Sequence, residues 1–165
     1  MLIGILSDSH GRADTTERAV RALLDHGAQM LIHLGDLEAE AVIDELVGHN
    51  ARIVFGNCDW NEQALAHYAE LVGVRVDHPL GLAEVDGKRI AFTHGHLARV
   101  MQDAINDGVD YLFYGHTHAV SDERCGRTRL INPGALFRAP RYTAALLDPA
   151  ADHLRIIEVP KGPTG

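Results

Sequence analysis

The sequence has little cysteine, no long apolar run and no recognisable targeting segment. Only two of its 165 residues are cysteine, and Cys58 and Cys125 have neither the spacing of a zinc site nor that of a disulfide framework. No apolar run approaches the length of a membrane-spanning helix, and the first residues carry neither the basic region nor the cleavage site of a secretory signal. We therefore expect a soluble, cytoplasmic protein without membrane association.

Basic residues are also in the minority. The chain has 15 lysine and arginine residues against 23 aspartate and glutamate residues, and its formal net charge is -8. This balance argues against binding to long nucleic acid, which requires a broad basic surface. It leaves room for a small phosphorylated ligand held by a metal ion. The length and a hydrophobic content of 46% predict one globular domain over residues 1–160, followed by a loose tail at 161–165.

The first half of the chain alternates apolar strands with helices. Each predicted strand is followed by a polar loop, and the strands lie at 1–6, 29–34 and 52–55. Helices are predicted between them at 13–26 and 38–48. Strands separated by helices in this way run parallel and are joined by right-handed crossovers.

The second half is dominated by short β segments. Helices are predicted at 61–72 and, with a clear amphipathic stripe, at 97–105, and Asp86-Gly87 is typical of a type I′ hairpin turn. The strands predicted in this half lie at 82–85, 89–92, 111–114, 119–123, 127–131, 142–147 and 154–159. Two sheets packed face to face, with helices outside, would accommodate both halves in one α/β domain.

Five successive strand ends carry side chains that bind divalent metals. Ligands collect beyond the carboxyl ends of strands in open α/β sheets, and histidine, aspartate and asparagine suit a borderline divalent metal. A glycine beside each end lets backbone segments approach closely. The side chains are Asp8 and His10, Asp36, Asn57, His94 and His96, and His116 and His118. Any single pair is compatible with an ordinary turn or helix cap, but the five together indicate a metal site.

The same residues carry a family resemblance. The chain resembles the calcineurin-like metallophosphoesterases in the order of its motifs, which are Asp8-x-His10, Gly35-Asp36, Gly56-Asn57, His94 and Gly115-His116-x-His118. Its compact size and the run from Gly56 to Asp59 resemble the small single-domain bacterial and archaeal phosphodiesterases of that superfamily. The resemblance implies a four-layer α/β/β/α sandwich of two packed mixed sheets. It also implies a dinuclear metal site where the strand-end loops meet.

A ligand set follows from the resemblance. Asp36 would bridge the two ions, since one carboxylate has two oxygens and dinuclear sites hold their ions about 3.5–4 Å apart. The first ion would be held by Asp8, His10, Asp36 and His118, and the second by Asp36, Asn57, His94 and His116. The family favours Mn²⁺, and the ligand types also suit Fe²⁺, Zn²⁺, Co²⁺ or Ni²⁺.

The resemblance and the charge of such a site predict a reaction. Two divalent ions with two ligating carboxylates leave a net positive charge, which attracts a phosphate diester anion. A hydroxide bridging the ions would attack phosphorus in line, and the ions would stabilise charge on the equatorial oxygens. The expected function is a metal-dependent phosphodiesterase that acts on a small phosphate ester without a protein nucleophile.

Two positions near these motifs bear on substrate preference. Larger phosphatases of the superfamily have a histidine after the asparagine, thought to protonate the leaving group, where this chain has Cys58. A thiol is a weak donor, and loss of a general acid costs on the order of 10²–10⁴ in rate for poor leaving groups. Diesters and activated esters are therefore favoured over alkyl monoesters.

Asn57 and His96 are the candidate catalytic residues. The alternative role for His96 is to support neighbouring groups. Arg138 or Arg141 could reach an anionic substrate.

Two other functions stay open at the level of sequence. Some relatives, such as the retromer scaffold subunit, use this fold to bind proteins around a degraded metal site, but all seven inferred ligands are present here. The chain could instead be a phosphomonoesterase acting on a small metabolite. No motif specifies the natural substrate or the oligomeric state.

Overall fold

Two mixed β-sheets form the centre of the molecule. The computed structural model describes residues 1–162, so residues 163–165 of the predicted tail lie outside the described residues. The strands are β1 (Ile3–Leu6), β2 (Met30–His33), β3 (Ala51–Ile53), β4 (Arg75–Val76), β5 (Gly81–Val85), β6 (Lys88–Phe92), β7 (Tyr111–Phe113), β8 (Val120–Cys125), β9 (Thr128–Pro133), β10 (Tyr142–Asp148) and β11 (His153–Val159). The helices are α1 (Ala13–Asp25), α2 (Glu40–Asp44), α3 (Glu62–Leu71) and α4 (Ala98–Asn106).

The strand order combines parallel and antiparallel pairing in both sheets. The six-stranded sheet has the order β11-β10-β1-β2-β3-β4, and the five-stranded sheet has the order β5-β6-β7-β9-β8. The neighbours β1, β2, β3 and β4 are parallel, as the alternation of strands and helices predicts. In the second sheet β6, β7 and β9 are parallel, and β5 and β8 flank them antiparallel.

Three apolar clusters divide the molecule into four layers. One cluster lies between the sheets and includes Ile5 and Ile32 from one sheet and Phe92 and Phe113 from the other. A second covers the outer face of the six-stranded sheet with α1, α2 and α3, and a third packs α4 on the five-stranded sheet. Because successive strand residues point to opposite faces, each central strand contributes to two clusters. The predicted four-layer α/β/β/α sandwich is confirmed.

Two elements differ from the sequence prediction. Helix α2 spans Glu40–Asp44 rather than 38–48. It begins later than predicted because Glu38 has a left-handed backbone (φ 64°) that cannot belong to a right-handed helix. The two-residue strand β4 (Arg75–Val76) is absent from the prediction, since two residues are too few to form an alternating pattern. The predicted hairpin turn is confirmed, with positive φ at both Asp86 and Gly87 between paired Val85 and Lys88.

The parallel strands deliver their following loops to one edge of the sandwich. Leu6, His33 and Ile53 are in register at the carboxyl ends of β1, β2 and β3, and Phe92 and Phe113 are paired at the ends of β6 and β7. Among residues 1–162, no helix is both long and apolar enough to cross a lipid bilayer.

A charged network joins the five-stranded sheet to the β10–β11 turn. The Asp152 carboxylate accepts hydrogen bonds from the Tyr111 hydroxyl at 2.8 Å, from Arg129 at 2.7 Å and from Arg124 at 2.6 Å. The Tyr111 hydroxyl, followed by the Arg129 guanidinium, lowers the pKa of Asp152 to about 2. The carboxylate is therefore more strongly stabilised in the folded than in the unfolded chain.

Replacement of Asp152 by asparagine should destabilise the protein in a pH-dependent way. The lowered folded pKa means that the stabilisation is complete above about pH 4 and is lost as the pH falls toward about 2. Since the side chain is 46% exposed, we expect a loss of roughly 0.5–1 kcal/mol at pH 7. Urea denaturation of wild type and Asp152→Asn at pH 7 and pH 3 measures it, with Asp103→Asn as the exposed control. An equal loss at both pH values would contradict the prediction.

Candidate metal centre

The loops after the strands turn sharply at the residues predicted to bind metal. Five of these residues have a left-handed backbone, with φ between 45° and 67°: they are Asp8, His10, Asp36, His116 and His118. Such conformations cost energy in residues other than glycine and cluster at functional sites. Backbone hydrogen bonds join the loops, since Asp8 N–H donates to Gly35 O at 3.0 Å and Gly115 N–H donates to His94 O at 2.9 Å.

Two glycines allow the loops to approach as closely as they do. A Cβ atom at position 56 would lie 2.1 Å from Oδ1 of Asp36, and one at position 115 would lie 2.0 Å from Oγ of Ser7 and 2.7 Å from Oδ2 of Asp8. All three distances are shorter than the non-bonded contact of a carbon atom allows. Gly56 and Gly115 therefore hold the two aspartates where a larger residue would displace them.

Three predicted ligands, Asp8, His10 and His118, lie close together beside Asp36. Nε2 of His10 lies 3.3 Å from Nε2 of His118 and 3.6 Å from Oδ2 of Asp36. Nε2 of His118 is in turn 3.2 Å from Oδ1 of Asp8. One ligand atom each from Asp8, His10 and His118 lies within 4.8 Å of the others.

The remaining predicted ligands also lie beside the Asp36 carboxylate. Nε2 of His94 lies 3.5 Å from Oδ2 of Asp36 and 3.1 Å from Oδ1 of Asn57. The ring of His116 packs on that of His94, with 5.2 Å between the ring centroids. All seven residues singled out as metal ligands thus lie at one place around Asp36.

The imidazole orientations make this place suitable for cations. Nδ1–H of His94 donates to Leu34 O at 2.8 Å, so in a neutral ring the lone pair on Nε2 faces the oxygens of Asp36 and Asn57. Nδ1 of His10 lies 2.6 Å from Oε1 of Glu38, which orients Nε2 of His10 toward Asp36 and His118 in the same way. Lone pairs that face one another repel unless a positive charge lies between them.

The Asp8 carboxylate is incompletely satisfied by protein groups. Its Oδ2 accepts a hydrogen bond from His116 N–H at 3.1 Å, but its Oδ1 is buried without a hydrogen-bond partner among the described residues. A buried carboxylate oxygen without a partner is costly. A divalent ion with oxygen and imidazole ligands would satisfy it, so the residues present fit a metal centre.

The electrostatics of Asp36 favour positive charge at its side. Burial alone would raise the pKa of Asp36, but the hydrogen bond and charge of His94 and the Cys58 N–H lower it below its usual range. Burial likewise acts to lower the pKa of His94, and the Asp36 carboxylate overcomes this and raises it. Asp36 is thus an anion throughout the neutral pH range, placed to attract cations.

Asp59 holds the loops around Asp36 in position. Its carboxylate accepts backbone N–H groups of Asp36 at 2.9 Å, Glu38 at 2.7 Å and Gly56 at 2.7 Å. Burial raises the pKa of Asp59 against the opposing effect of these three hydrogen bonds. Through these contacts Asp59 fixes the loop that contains Asp36 against the loop that contains Gly56.

Ser9 belongs to a buried hydrogen-bond network rather than to the donor cluster. Its Oγ lies 2.8 Å from Nε2 of His33 and 2.9 Å from Oγ1 of Thr16. His33 Nδ1 accepts the Gly35 N–H at 3.2 Å, and burial lowers the pKa of His33 to about 3, so the ring is neutral. Ser9 is fully buried, in keeping with the expectation that it is not a nucleophile.

Cys58 and His96 both lie beside the donor cluster. The Cys58 thiol lies within 4.8 Å of ligand atoms of His10 and Asp36, and burial together with the Asp36 charge raises the pKa of Cys58 to about 11. The ring of His96 is 5.3 Å from that of His94 and 6.2 Å from that of His116. Nδ1 of His96 is buried and has no hydrogen-bond partner within residues 1–162.

The two arginines named from the sequence lie in different pockets. Arg138 lines a pocket with His10, whereas Arg141 lines another with His118. Sequence reasoning missed Glu38, the partner of His10, and the neighbours of Arg138 in its pocket, Arg12 and Phe137. Glu38 could have been found only from its position two residues after Asp36, which is a weak signal on its own.

Comparisons with known proteins identify the family to which this chain is similar. The model of the calcineurin-like phosphoesterase superfamily domain matches residues 1–152. The chain is 32% identical over 139 residues to phosphodiesterase MJ0936 of Methanocaldococcus jannaschii, which covers 81% of this chain and 83% of the relative. It is also 32% identical over 153 residues to phosphodiesterase YfcE of Escherichia coli, which covers 82% of this chain and 79% of the relative.

The fold has solved counterparts of nearly equal length. The structure of a novel archaeal phosphodiesterase superposes with a TM-score of 0.86 at 29% identity and covers 96% of this chain and 99% of the other. The structure of YfcE superposes with a TM-score of 0.69 and covers 97% of this chain and 100% of the other. Motif order, sandwich architecture and family model all agree, and the chain belongs to the calcineurin-like phosphoesterase superfamily.

Proposed function

We propose that this protein is a metal-dependent phosphodiesterase whose dinuclear centre is built around Asp36. Asp8, His10, Asp36 and His118 would hold one divalent ion, and Asp36, Asn57, His94 and His116 the other. The observation that carries the proposal is the convergence around Asp36 of nitrogen and oxygen lone pairs from four other loops. Such an arrangement is unfavourable in an empty protein and favourable around cations.

The ions supply the chemistry, and the chain supplies their geometry. Two divalent ions at such a centre lower the pKa of water toward neutrality and stabilise charge on phosphoryl oxygens. Asp36, held by the Cys58 N–H at 2.8 Å, sets the relative position of the two groups of ligands. The Asn57 amide, whose Oδ1 lies 3.1 Å from Nε2 of His94, would orient the ester as well as ligate.

Cys58 and His96 support a preference for diesters. Cys58 lies where larger phosphatases of the superfamily carry a histidine, and a thiol is only a weak hydrogen-bond donor. The His96 ring lies beside those of His94 and His116, where it would contact the phosphate of the bound ester. A substrate whose leaving group needs little protonation therefore suits this centre.

The proposal also extends to the identity of the metal, the cellular location of the protein and the size of its substrate. We assign Mn²⁺ to both positions on the basis of the family resemblance, and the mixed imidazole, carboxylate and amide ligands are compatible with it. A cytoplasmic location accords with the two cysteines, which are not joined to each other. The net charge of -8 supports a small phosphate ester, rather than long nucleic acid, as the substrate.

Asp36→Asn tests the centre directly. Loss of one charge at the shared ligand should reduce bound Mn²⁺ and lower hydrolysis of bis(p-nitrophenyl) phosphate by at least about 100-fold, the scale of losing one preorganised electrostatic contact. Elemental analysis and a Mn²⁺-reconstituted assay measure the two effects, with the exposed Asp25→Asn as control. If Asp36→Asn retained both the metal and full activity, the proposal would be wrong, and a wild type without metal or activity would point instead to a scaffold.

Glu38→Gln tests how the chain orients a ligand. The Glu38 carboxylate lies 2.6 Å from Nδ1 of His10, and such outer partners of a metal-bound histidine typically contribute 10–100-fold in affinity. We expect Mn²⁺ to bind roughly 10-fold more weakly in the variant, because glutamine keeps the acceptor but not the charge. Competition with a fluorescent chelator gives the affinity. The matched control is Glu40→Gln in α2, and equal affinities in the two variants would refute the role.

Cys58→His tests the basis of substrate preference. Wild type should hydrolyse aryl diesters readily and alkyl monoesters poorly, because no strong proton donor faces the leaving group. An imidazole at this position should raise alkyl monoester hydrolysis by on the order of 10²-fold and reduce the dependence of rate on leaving-group pKa. Assays across aryl diesters, cyclic nucleotides and monoesters show this, with Cys58→Ser as control. A wild type that favours alkyl monoesters over aryl diesters would instead be a phosphomonoesterase.

A further inference from the structure

A polar pocket opens directly beside the candidate metal centre. It has a volume of about 360 Å³ and is lined by His10, Gly11, Arg12, Glu38, Phe137 and Arg138. We call it the arginine pocket. His10 belongs to both sites, because its Nε2 faces the donor cluster while its ring packs on Phe137 with 5.9 Å between the centroids.

Phe137 holds two guanidinium groups at this pocket. Cζ of Arg12 lies 4.6 Å from the centroid of the Phe137 ring, and Cζ of Arg138 lies 5.2 Å from it. Contacts of this kind attract a cation to the face of an aromatic ring. They also restrict the two long side chains before any ligand arrives, which lowers the entropic cost of binding.

The two guanidinium groups are not engaged by carboxylates. Arg18, Arg52 and Arg129 are each paired with an aspartate, whereas Arg12 and Arg138 have no ion-pair partner within the part of the chain that the structure describes. The planar donors of Arg12 and Arg138 match phosphate oxygens in geometry and charge.

Glu38 does not cancel the positive charge of the pocket. It is the only acidic side chain among the described lining residues, and its carboxylate is engaged with His10 Nδ1 at 2.6 Å. The two arginines therefore leave the pocket with a net positive charge. An anionic group bound in the pocket would lie on one side of His10, and a phosphoryl group bound at the donor cluster would lie on the other.

We infer that the arginine pocket binds a second phosphate group of the substrate. The inference rests on the proposed phosphodiesterase function and narrows its substrate class to diesters in which one esterified group carries a further phosphate. Arg12 and Arg138 bind this phosphate and take no part in the displacement at the scissile phosphorus. They are specificity residues, acting through substrate affinity.

A matched pair of substrates tests the inference. The p-nitrophenyl ester of thymidine 5′-phosphate is a diester, and the same compound with a 3′-phosphate differs only by the added dianion. With Mn²⁺-loaded wild type, kcat/KM should be roughly 10-fold higher for the phosphorylated compound, mainly through a lower KM, which is the effect of one charge-assisted hydrogen bond. Equal values of kcat/KM would overturn the inference.

The double variant Arg12→Gln/Arg138→Gln should abolish this discrimination. Glutamine keeps much of the length of each side chain but removes the charge, so the ratio of kcat/KM for the two substrates should fall to near one. Arg99→Gln, at a 94% exposed side chain on α4, should leave the ratio as in wild type. A double variant that retains the wild-type ratio would show that the pocket does not bind the phosphate.

Equilibrium binding separates this inference from the function on which it rests. Titration calorimetry with thymidine 3′,5′-bisphosphate and thymidine 5′-monophosphate should show tighter binding of the bisphosphate to wild type and no such difference in the double variant. Failure of wild type to hydrolyse either diester would contradict the proposed function. Hydrolysis of both diesters without preference, together with equal affinities for the two nucleotides, would contradict only the second-phosphate site.

Discussion

The Asp36 carboxylate is the group on which the arrangement of this molecule depends. It lies between imidazoles from both halves of the chain, at 3.6 Å from His10 and 3.5 Å from His94, and it is almost completely buried. A buried anion needs compensating positive charge or donors. The chain provides the Cys58 N–H and leaves two groups of lone pairs facing the carboxylate. That incomplete compensation is what makes the centre a site for cations.

The apolar layer between the sheets brings these groups together. Ile5 and Ile32 on one sheet pack against Phe92 and Phe113 on the other, so the carboxyl ends of the central strands lie at one edge. Close packing leaves little freedom for one sheet to slide over the other. The donors of the first half, Asp8 and Asp36, therefore meet the histidines of the second half at fixed distances. The stability of the sandwich and the geometry of the site have the same origin.

Much of this site was predictable because its ligands follow buried strands directly. A run of apolar residues ending in Gly35-Asp36 or Gly115-His116 identifies both the strand and the polar group beyond it. Short or irregular features were not predictable in this way. Strand β4 has two residues, and α2 begins late because Glu38 adopts a positive φ, a local conformation that reflects the hydrogen bond between Glu38 N–H and Asp59.

The sequence alone determined the alternation of strands and helices, the seven candidate ligands and their order, because these depend on neighbours close along the chain. Only the tertiary structure decided which side chains contact one another at the metal centre and in the arginine pocket. Glu38 meets His10, and Arg12 meets Arg138 across Phe137, although Arg12 and Phe137 are far apart along the chain. Such contacts form when loops that are distant in sequence pack together on the folded sandwich. They leave no periodicity or residue spacing in the sequence from which they could be predicted.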